Sequence, residues 1–181
     1  CSITLYKVFY LLFVLYFFSK KHQLNFWVLS AFTATVLPLA QAIGRWGNYF
    51  NQELFGRPTN LAWGIPIDIS HRPADYLSYT YFQPTFLYES LGLIIIFLNL
   101  LFLTIRFLKK QTVCPNFYKN QFFIYLISYS VLRFFLEFIR IDKTPILLGL
   151  RWPQIVSLII IIISLILFFK SHVLVPSKRQ S

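Results

Sequence analysis

Apolar residues run continuously, rather than alternating with polar ones, in five stretches of this 181-residue chain. A helix of about 20 apolar residues spans the hydrocarbon core of a bilayer, and continuous runs favour helices over lipid-exposed strands. The pattern predicts an all-α integral membrane protein with a single membrane domain over residues 1–181. The five transmembrane helices are predicted at about 3–18, 26–43, 84–105, 121–139 and 153–169, with Pro38 as a kink in the second.

The composition agrees with this pattern. Hydrophobic residues make up 57% of the chain and charged residues only 13%, which excludes a disordered chain. The formal net charge of +11 would suggest a nucleic-acid partner in a soluble protein. Here the basic residues lie between apolar runs, so the sequence predicts a lipid bilayer as the environment and no nucleic-acid binding.

The distribution of charge predicts the orientation. The loops 19–25, 106–120 and 170–181 contain basic residues and no acid, whereas all six acids lie in or near the loops 44–83 and 140–152. Lys and Arg accumulate on the cytoplasmic side of membrane proteins. The sequence therefore predicts a cytoplasmic position for Cys114 and for the basic tail 170–181. It also predicts that residues 44–83 form an arm on the outer side.

The segment 44–56 concentrates polar groups directly after a predicted span. Glycines allow close approach of a ligand, an arginine offers a planar fork for phosphate, and asparagines add neutral donors. We interpret the segment as a phosphate-binding turn in which Glu53 orients Arg45 or acts on a proton. The alternative is an interfacial turn whose arginine reaches lipid headgroups. The candidate residues are Gly44, Arg45, Asn48, Asn51, Glu53 and Gly56.

Two further groups of candidates lie near the outer ends of the third and fourth predicted spans. Tyr88 and Glu89 follow Pro84, and an acid inside a span normally faces protein or a wet cavity. Arg133, Glu137 and Arg140 are spaced by four and three residues, which predicts one helical stripe. The alternatives are an aromatic-belt anchor for Tyr88 and a structural ion pair between Arg133 and Glu137.

Together, these stretches resemble a known family. The pattern Gly44-Arg-x-Gly-Asn-x-x-Asn-x-Glu-x-x-Gly56 is similar to the hallmark motif of bacterial prolipoprotein diacylglyceryl transferases. The stretches 84–89 and 133–140 follow in the family's order, and Gln154-Ile-Val-Ser157 is a fainter match. The resemblance covers residues from about 20 to 170.

The resemblance implies transfer of a diacylglyceryl group from phosphatidylglycerol to the lipobox cysteine of preprolipoproteins. It implies a multi-pass protein of the bacterial cytoplasmic membrane with a cytoplasmic C-terminus, and no metal or other cofactor. The family's arm implies a lid for residues 57–83. The implied catalytic residues are Arg45, Arg133 and Glu137, and the implied substrate-binding residues are Arg45, Asn48, Asn51, Glu53, Gly56, Tyr88, Glu89 and Arg140.

One departure concerns the first apolar run. The family has a His-Gly-Gly-Leu motif there, whereas counting back from Lys20 reaches Leu5-Tyr-Lys-Val8. The chain also begins with Cys and contains no Met, which predicts either a start inside a longer reading frame or a processed start. We therefore expect weak or no transfer by the 181 residues alone. The alternatives are a non-catalytic lipid- or anion-binding membrane protein derived from the family and, in another class, a small transporter.

Overall fold

The computed structural model describes residues 2–110 and 116–173. Its main elements there are five α-helices, which correspond in order to the five predicted spans and confirm the all-α fold. The predictions for Cys114 and for the tail beyond residue 173 lie outside the described residues. The helices are α1 (Ser2–Lys21), α2 (Phe26–Phe50), α3 (Thr85–Lys110), α4 (Phe117–Leu136) and α5 (Trp152–Val173).

Within the described residues, three helical segments are long and apolar enough to cross a membrane. They are Phe26–Phe50, Thr85–Lys109 and Trp152–Lys170, in helices α2, α3 and α5. Spanning by α1 and α4 remains a prediction. The helices α2, α3 and α4 contact one another, α5 lies against α4, and α1 contacts α2.

Small residues allow the central helices to approach closely. Ala34, Leu100 and Tyr125 form a buried core cluster from α2, α3 and α4. A Cβ atom at Gly92 of α3 would lie 2.6 Å from the Leu132 side chain of α4. Such close contacts are the usual basis of helix association where lipid removes the hydrophobic driving force. They hold these helices next to one another.

Helix α2 is longer than predicted, and this corrects the interpretation of the segment 44–56. The helix continues to Phe50, so the first half of the segment is helical rather than a turn. Trp46 and Tyr49 pack on Phe86 of α3, with ring centroids 5.4 and 5.0 Å apart. A glycine in a helix interior costs about 1 kcal/mol relative to alanine. These aromatic contacts outweigh that cost at Gly44 and Gly47.

Helix α4 is shorter at its C-terminal end than predicted. It ends at Leu136, and Glu137 is its C-cap. Arg140 lies beyond the helix in an extended segment, where it forms an isolated antiparallel bridge with Gly56. The predicted helical stripe is therefore wrong for Arg140, although Arg133 and Glu137 remain one turn apart.

The loops 44–83 and 140–152 contain short strands that the sequence did not predict. The described residues contain two antiparallel pairs of strands: β1 (Ile65–Pro66) pairs with β2 (Tyr81–Phe82), and β3 (Ile146–Leu147) pairs with β4 (Leu150–Arg151). Two single-turn 3-10 helices, Ile69–His71 and Ala74–Tyr76, lie between β1 and β2.

The arm 44–83 and the loop 140–152 meet at one end of the helices. The Gly56 amide donates to the carbonyl of Gln83 at 2.9 Å, and the Arg57 amide donates to the carbonyl of Ile139 at 3.1 Å. Beside these bonds, Phe55 and Phe82 are buried in a small core cluster of the arm with Ile67. The predicted placement of both loops at the same end is confirmed.

Candidate functional site

Two arginine side chains and one glutamate side chain, each from a different helix, meet at this end. The Nη2 atom of Arg45 on α2 lies 2.9 Å from Oε1 of Glu89 on α3. On the other side of the same carboxylate, Nη1 of Arg133 on α4 lies 3.9 Å from Oε2. The Glu89 side chain is only 3% exposed. The predicted convergence of the three motifs is confirmed, with a buried carboxylate between two arginines.

The charged groups continue as an alternating chain. Arg133 lies 3.2 Å from Glu137, Glu137 lies 3.3 Å from Arg151, and Arg151 lies 4.0 Å from Asp142. Arg140 is the last member of this chain, and its Nε lies 2.8 Å from Oδ1 of Asp142. Within the described residues, four arginines against three carboxylates leave the chain with a formal charge of +1. An anion of charge −1 would neutralise it.

Arg151 is a functional candidate that the sequence reasoning missed. Its guanidinium donates to the carbonyls of Glu137 at 2.9 Å and Arg140 at 2.6 Å, and also to the carbonyl of Asp142. Its Nε donates to the hydroxyl of Thr144 at 2.8 Å. Arg151 thereby satisfies the carbonyls that follow α4 and fixes the loop to the start of α5. Its position just before the last apolar run was the only signal in the sequence.

Asp142 lies in the loop 140–152 between two arginines. Burial alone raises the pKa of its carboxyl, but the hydrogen bond from Arg140 and the charges of Arg140 and Arg151 outweigh burial. The net effect is a pKa below the ordinary value of 3.8. Asp142 is thus held in its charged form as part of the alternating chain.

Several buried polar atoms in this chain have unused hydrogen-bonding capacity. Arg133 Nη1, Glu89 Oε1 and Glu137 Oε1 are buried and make no hydrogen bond within the described part of the chain, although each lies near an opposite charge. Unmade hydrogen bonds of buried charged groups are costly. The site can therefore accept a ligand that offers both an anion and hydroxyl donors. Among the described residues, no group of three His, Cys, Asp or Glu could hold a metal ion.

The other candidates of the first motif separate into two groups. Asn48 is half-buried on α2, three residues after Arg45 and thus on the same face. Asn51 and Glu53 are exposed and pair with each other, with Nδ2 of Asn51 3.4 Å from Oε1 of Glu53. The expected partner of Arg45 was Glu53, and the structure gives Glu89 instead.

Gly56 and Tyr88 have structural contacts of their own. A Cβ atom at Gly56 would lie 2.9 Å from side-chain atoms of both Gln83 and Ile139, so only glycine fits between these segments. The Tyr88 hydroxyl accepts a hydrogen bond from Nε1 of Trp63 at 2.8 Å, which ties the arm to α3. Substrate binding by these two residues remains a prediction.

Two tyrosines of α4 were missed because the sequence reasoning treated most tyrosines as interface anchors. The Tyr129 side chain interacts with Arg45 and lies near Glu89 and Arg133. Its ring stacks on that of Tyr125 at 6.0 Å. The Tyr125 hydroxyl donates to Gln41 at 3.3 Å, one turn before Arg45 on α2. These contacts with α4 support the position of the Arg45 side chain.

The comparisons with known proteins identify the family of the chain. The sequence model of the family described as Prolipoprotein diacylglyceryl transferase matches residues 8–170. The chain is 46% identical over 143 residues to the phosphatidylglycerol--prolipoprotein diacylglyceryl transferase of Nostoc, a match of 78% of this chain and 49% of the relative. With the Synechocystis enzyme of that name the identity is 42% over 153 residues, covering 81% of this chain and 50% of the relative.

The transferase 2 of Streptomyces coelicolor is 44% identical over 144 residues, which cover 78% of this chain and 42% of the relative. The chain spans about half the length of these curated relatives. The matched range 8–170 contains every residue of the charged chain described above. The chain belongs to the prolipoprotein diacylglyceryl transferase family, as the resemblance of its motifs implied.

Proposed function

We propose that this protein transfers a diacylglyceryl group from phosphatidylglycerol to the lipobox cysteine thiol of a preprolipoprotein. The reaction takes place at the outer face of the bacterial cytoplasmic membrane, and the C-terminus of the protein is cytoplasmic. Family membership and the names of the relatives support the reaction class. The observation that supports the site best is the buried Glu89 carboxylate between Arg45 and Arg133 at the ends of three packed helices.

The phosphodiester of the lipid contacts Arg45 and Arg133, the two arginines that flank Glu89. Its single negative charge balances the formal +1 of the alternating chain. Nη1 of Arg133 is buried and makes no hydrogen bond in the described residues, so it can donate to a phosphate oxygen. Asn48, on the same face of α2 as Arg45, supplies a neutral donor. A guanidinium suits this role because its planar fork matches phosphate geometry.

The headgroup glycerol of the lipid provides hydroxyls for the carboxylates. Oε1 of Glu89 and Oε1 of Glu137 are buried acceptors that make no hydrogen bond within the described part of the chain. A glycerol hydroxyl placed against either oxygen would satisfy it, whereas a choline headgroup offers no such donor. The carboxylates therefore favour phosphatidylglycerol over lipids without a donating headgroup.

The reaction is a displacement at carbon. The cysteine sulfur attacks the glyceryl carbon, the C–O bond to phosphate breaks, and the bonding pair leaves with glycerol phosphate. The leaving group gains one negative charge as the bond breaks, and the thiol proton passes to a base or to solvent. Arg45 and Arg133 stabilise the developing charge more strongly than the charge of the bound substrate, so they lower the barrier.

The test is formation of thioether-linked diacylglycerol on a lipobox peptide in phosphatidylglycerol vesicles, detected by mass spectrometry. The protein is assayed as the 181-residue chain and as the longest chain that its reading frame encodes. We expect Arg45→Ala to abolish most transfer and Arg57→Ala, which removes an exposed arginine of the arm, to retain it. Transfer by Arg45→Ala at the normal rate would overturn the site. Binding of phosphatidylglycerol without any transfer by either chain would favour the non-catalytic alternative.

A further inference from the structure

The tip of the β3–β4 hairpin exposes three consecutive aliphatic side chains. Ile146 is 70% exposed, Leu147 is 51% exposed and Leu148 is 92% exposed. The chain has no charged residue between Lys143 and Arg151. The hairpin takes no part in the charged site except through Arg151 at its base, so its apolar tip requires a separate explanation.

The backbone of the turn makes the leucine at its tip unusual. Leu148 has φ +54° and Gly149 has φ +75°, as in two-residue hairpin turns with both central residues at positive φ. Asn, Asp or Gly normally occupies the first of these positions, because a larger side chain is strained there. A leucine here is both strained and almost fully exposed. Strain of this kind points to a function for the side chain.

The hairpin is held rigidly at the start of a membrane span. The Trp152 amide donates to the Pro145 carbonyl at 2.9 Å, and Arg151 donates to the hydroxyl of Thr144 at 2.8 Å. The strand β4 passes directly into α5, whose segment Trp152–Lys170 is long and apolar enough to cross a membrane. Two residue pairs extend only about 7 Å along a hairpin, close to the thickness of a headgroup region, which is about 5–8 Å.

We propose that the tip formed by Ile146, Leu147 and Leu148 is an interfacial anchor that inserts among the lipid acyl chains of the leaflet where α5 begins. The tip is as exposed as Ile162 and Ile166, which lie on the apolar α5 span. Lys143 is exposed at the base of the hairpin, where its ammonium can meet lipid phosphates. An apolar tip with a basic residue at the foot of the hairpin is typical of segments that lie in a membrane interface.

A lipid partner fits the small size of the tip better than a protein partner does. A stable protein–protein interface buries about 1,200–2,000 Å² or more. Three side chains at the end of a hairpin contribute far less than this. Insertion into acyl chains needs no complementary partner surface, and it continues the lipid contact of α5. The proposal does not depend on the transfer reaction.

The experiment measures membrane depth with a nitroxide spin label at Leu147→Cys, in a background in which Cys1 and Cys114 are replaced by serine. The full chain is reconstituted in vesicles of phosphatidylethanolamine and phosphatidylglycerol. The accessibility of the label to oxygen is compared with its accessibility to a water-soluble nickel chelate. Matched labels at Ile162→Cys and Asp75→Cys serve as the apolar and the aqueous reference, since both side chains are exposed.

We expect the oxygen-to-nickel ratio at position 147 to exceed that at position 75 severalfold and to approach that at position 162. Adding Leu148→Asn should lower the ratio at position 147 toward the aqueous value. Asparagine tolerates positive φ, so the melting temperature in detergent should not fall. Equal ratios at positions 147 and 75 would overturn the proposal, as would no effect of Leu148→Asn. Shielding of the label from both reagents would also overturn it, because the tip would then pack against protein.

Discussion

The pair formed by Arg45 and Glu89 offers a direct way to separate structural from chemical roles in the site. We consider Arg45→Gln, Glu89→Gln and the double variant. At the observed 2.9 Å, the Coulomb attraction in an effective dielectric of about 20 is roughly 5–6 kcal/mol. Desolvation cancels a large part of this energy, and the Arg45 side chain is 23% exposed. We therefore expect a coupling energy of about 2 kcal/mol.

The stability of the single variants should reflect this coupling. Arg45→Gln leaves the buried Glu89 with Arg133, which is farther away at 3.9 Å. We expect it to lower the free energy of unfolding by about 3 kcal/mol, at the low end for a broken buried pair. Glu89→Gln leaves two arginines facing each other without the carboxylate between them. The double variant should be less destabilised than the sum of the single variants, measured by thermal unfolding in detergent.

Transfer activity should follow a different pattern. If Arg45 binds the phosphate, activity should fall about a hundredfold or more in Arg45→Gln, and the double variant should recover stability but not activity. Binding of phosphatidylglycerol should weaken in parallel, which gives a second measurement. Recovery of both stability and activity in the double variant would refute the reasoning. Arg45 would then serve only to neutralise Glu89.

Three further predictions concern residues around the site. Arg151→Lys should lower the free energy of unfolding by roughly 2–4 kcal/mol, because an ammonium cannot reproduce the forked hydrogen bonds to three carbonyls. Thermal unfolding measures this loss, and an unchanged melting temperature would contradict it. Gly56→Ala should lower the free energy of unfolding by about 1–3 kcal/mol and increase proteolysis of the arm, because the new Cβ would lie 2.9 Å from the Gln83 side chain. Equal cleavage rates of the two proteins would argue against this. The low pKa of Asp142 stabilises the fold at pH values above its unfolded pKa, and this contribution is lost as the pH falls below about 4 through the folded pKa. Asp142→Asn should therefore cost more stability at pH 7 than at pH 3, and a loss of equal size at both values would show that its charge is unimportant.

The sequence by itself determined the helical membrane architecture and most of the charged residues of the site. The length of an apolar run and the cost of a charge within it are local properties of the chain. They are sufficient to locate five helices and to single out Glu89 as an acid within one of them. The asymmetry of acids along the chain likewise placed the loops 44–83 and 140–152 at one end, where the structure finds them joined.

Tertiary structure alone decided which charges are partners. Glu89 rather than Glu53 pairs with Arg45, although Glu53 is closer in sequence, because packing of α2 on α3 brings Glu89 to 2.9 Å. Arg151 became recognisable only when the chain beyond α4 folded back to the start of α5. Such pairings depend on the relative positions of several helices, which no local pattern specifies.

The boundaries of the helices were also decided by tertiary contacts. Helix α2 continues through Gly44 and Gly47 because Trp46 and Tyr49 pack on Phe86, and these contacts exceed a propensity cost of about 1 kcal/mol per glycine. The two-residue strands of the loops 44–83 and 140–152 are too short for any periodic signal. The sequence determined which stretches are apolar enough for a membrane helix and which are polar, because transfer free energy is a local property. The partner of each polar residue was decided by the packing of the helices, because an ion pair forms only where the folded backbone brings two charges within a few ångströms.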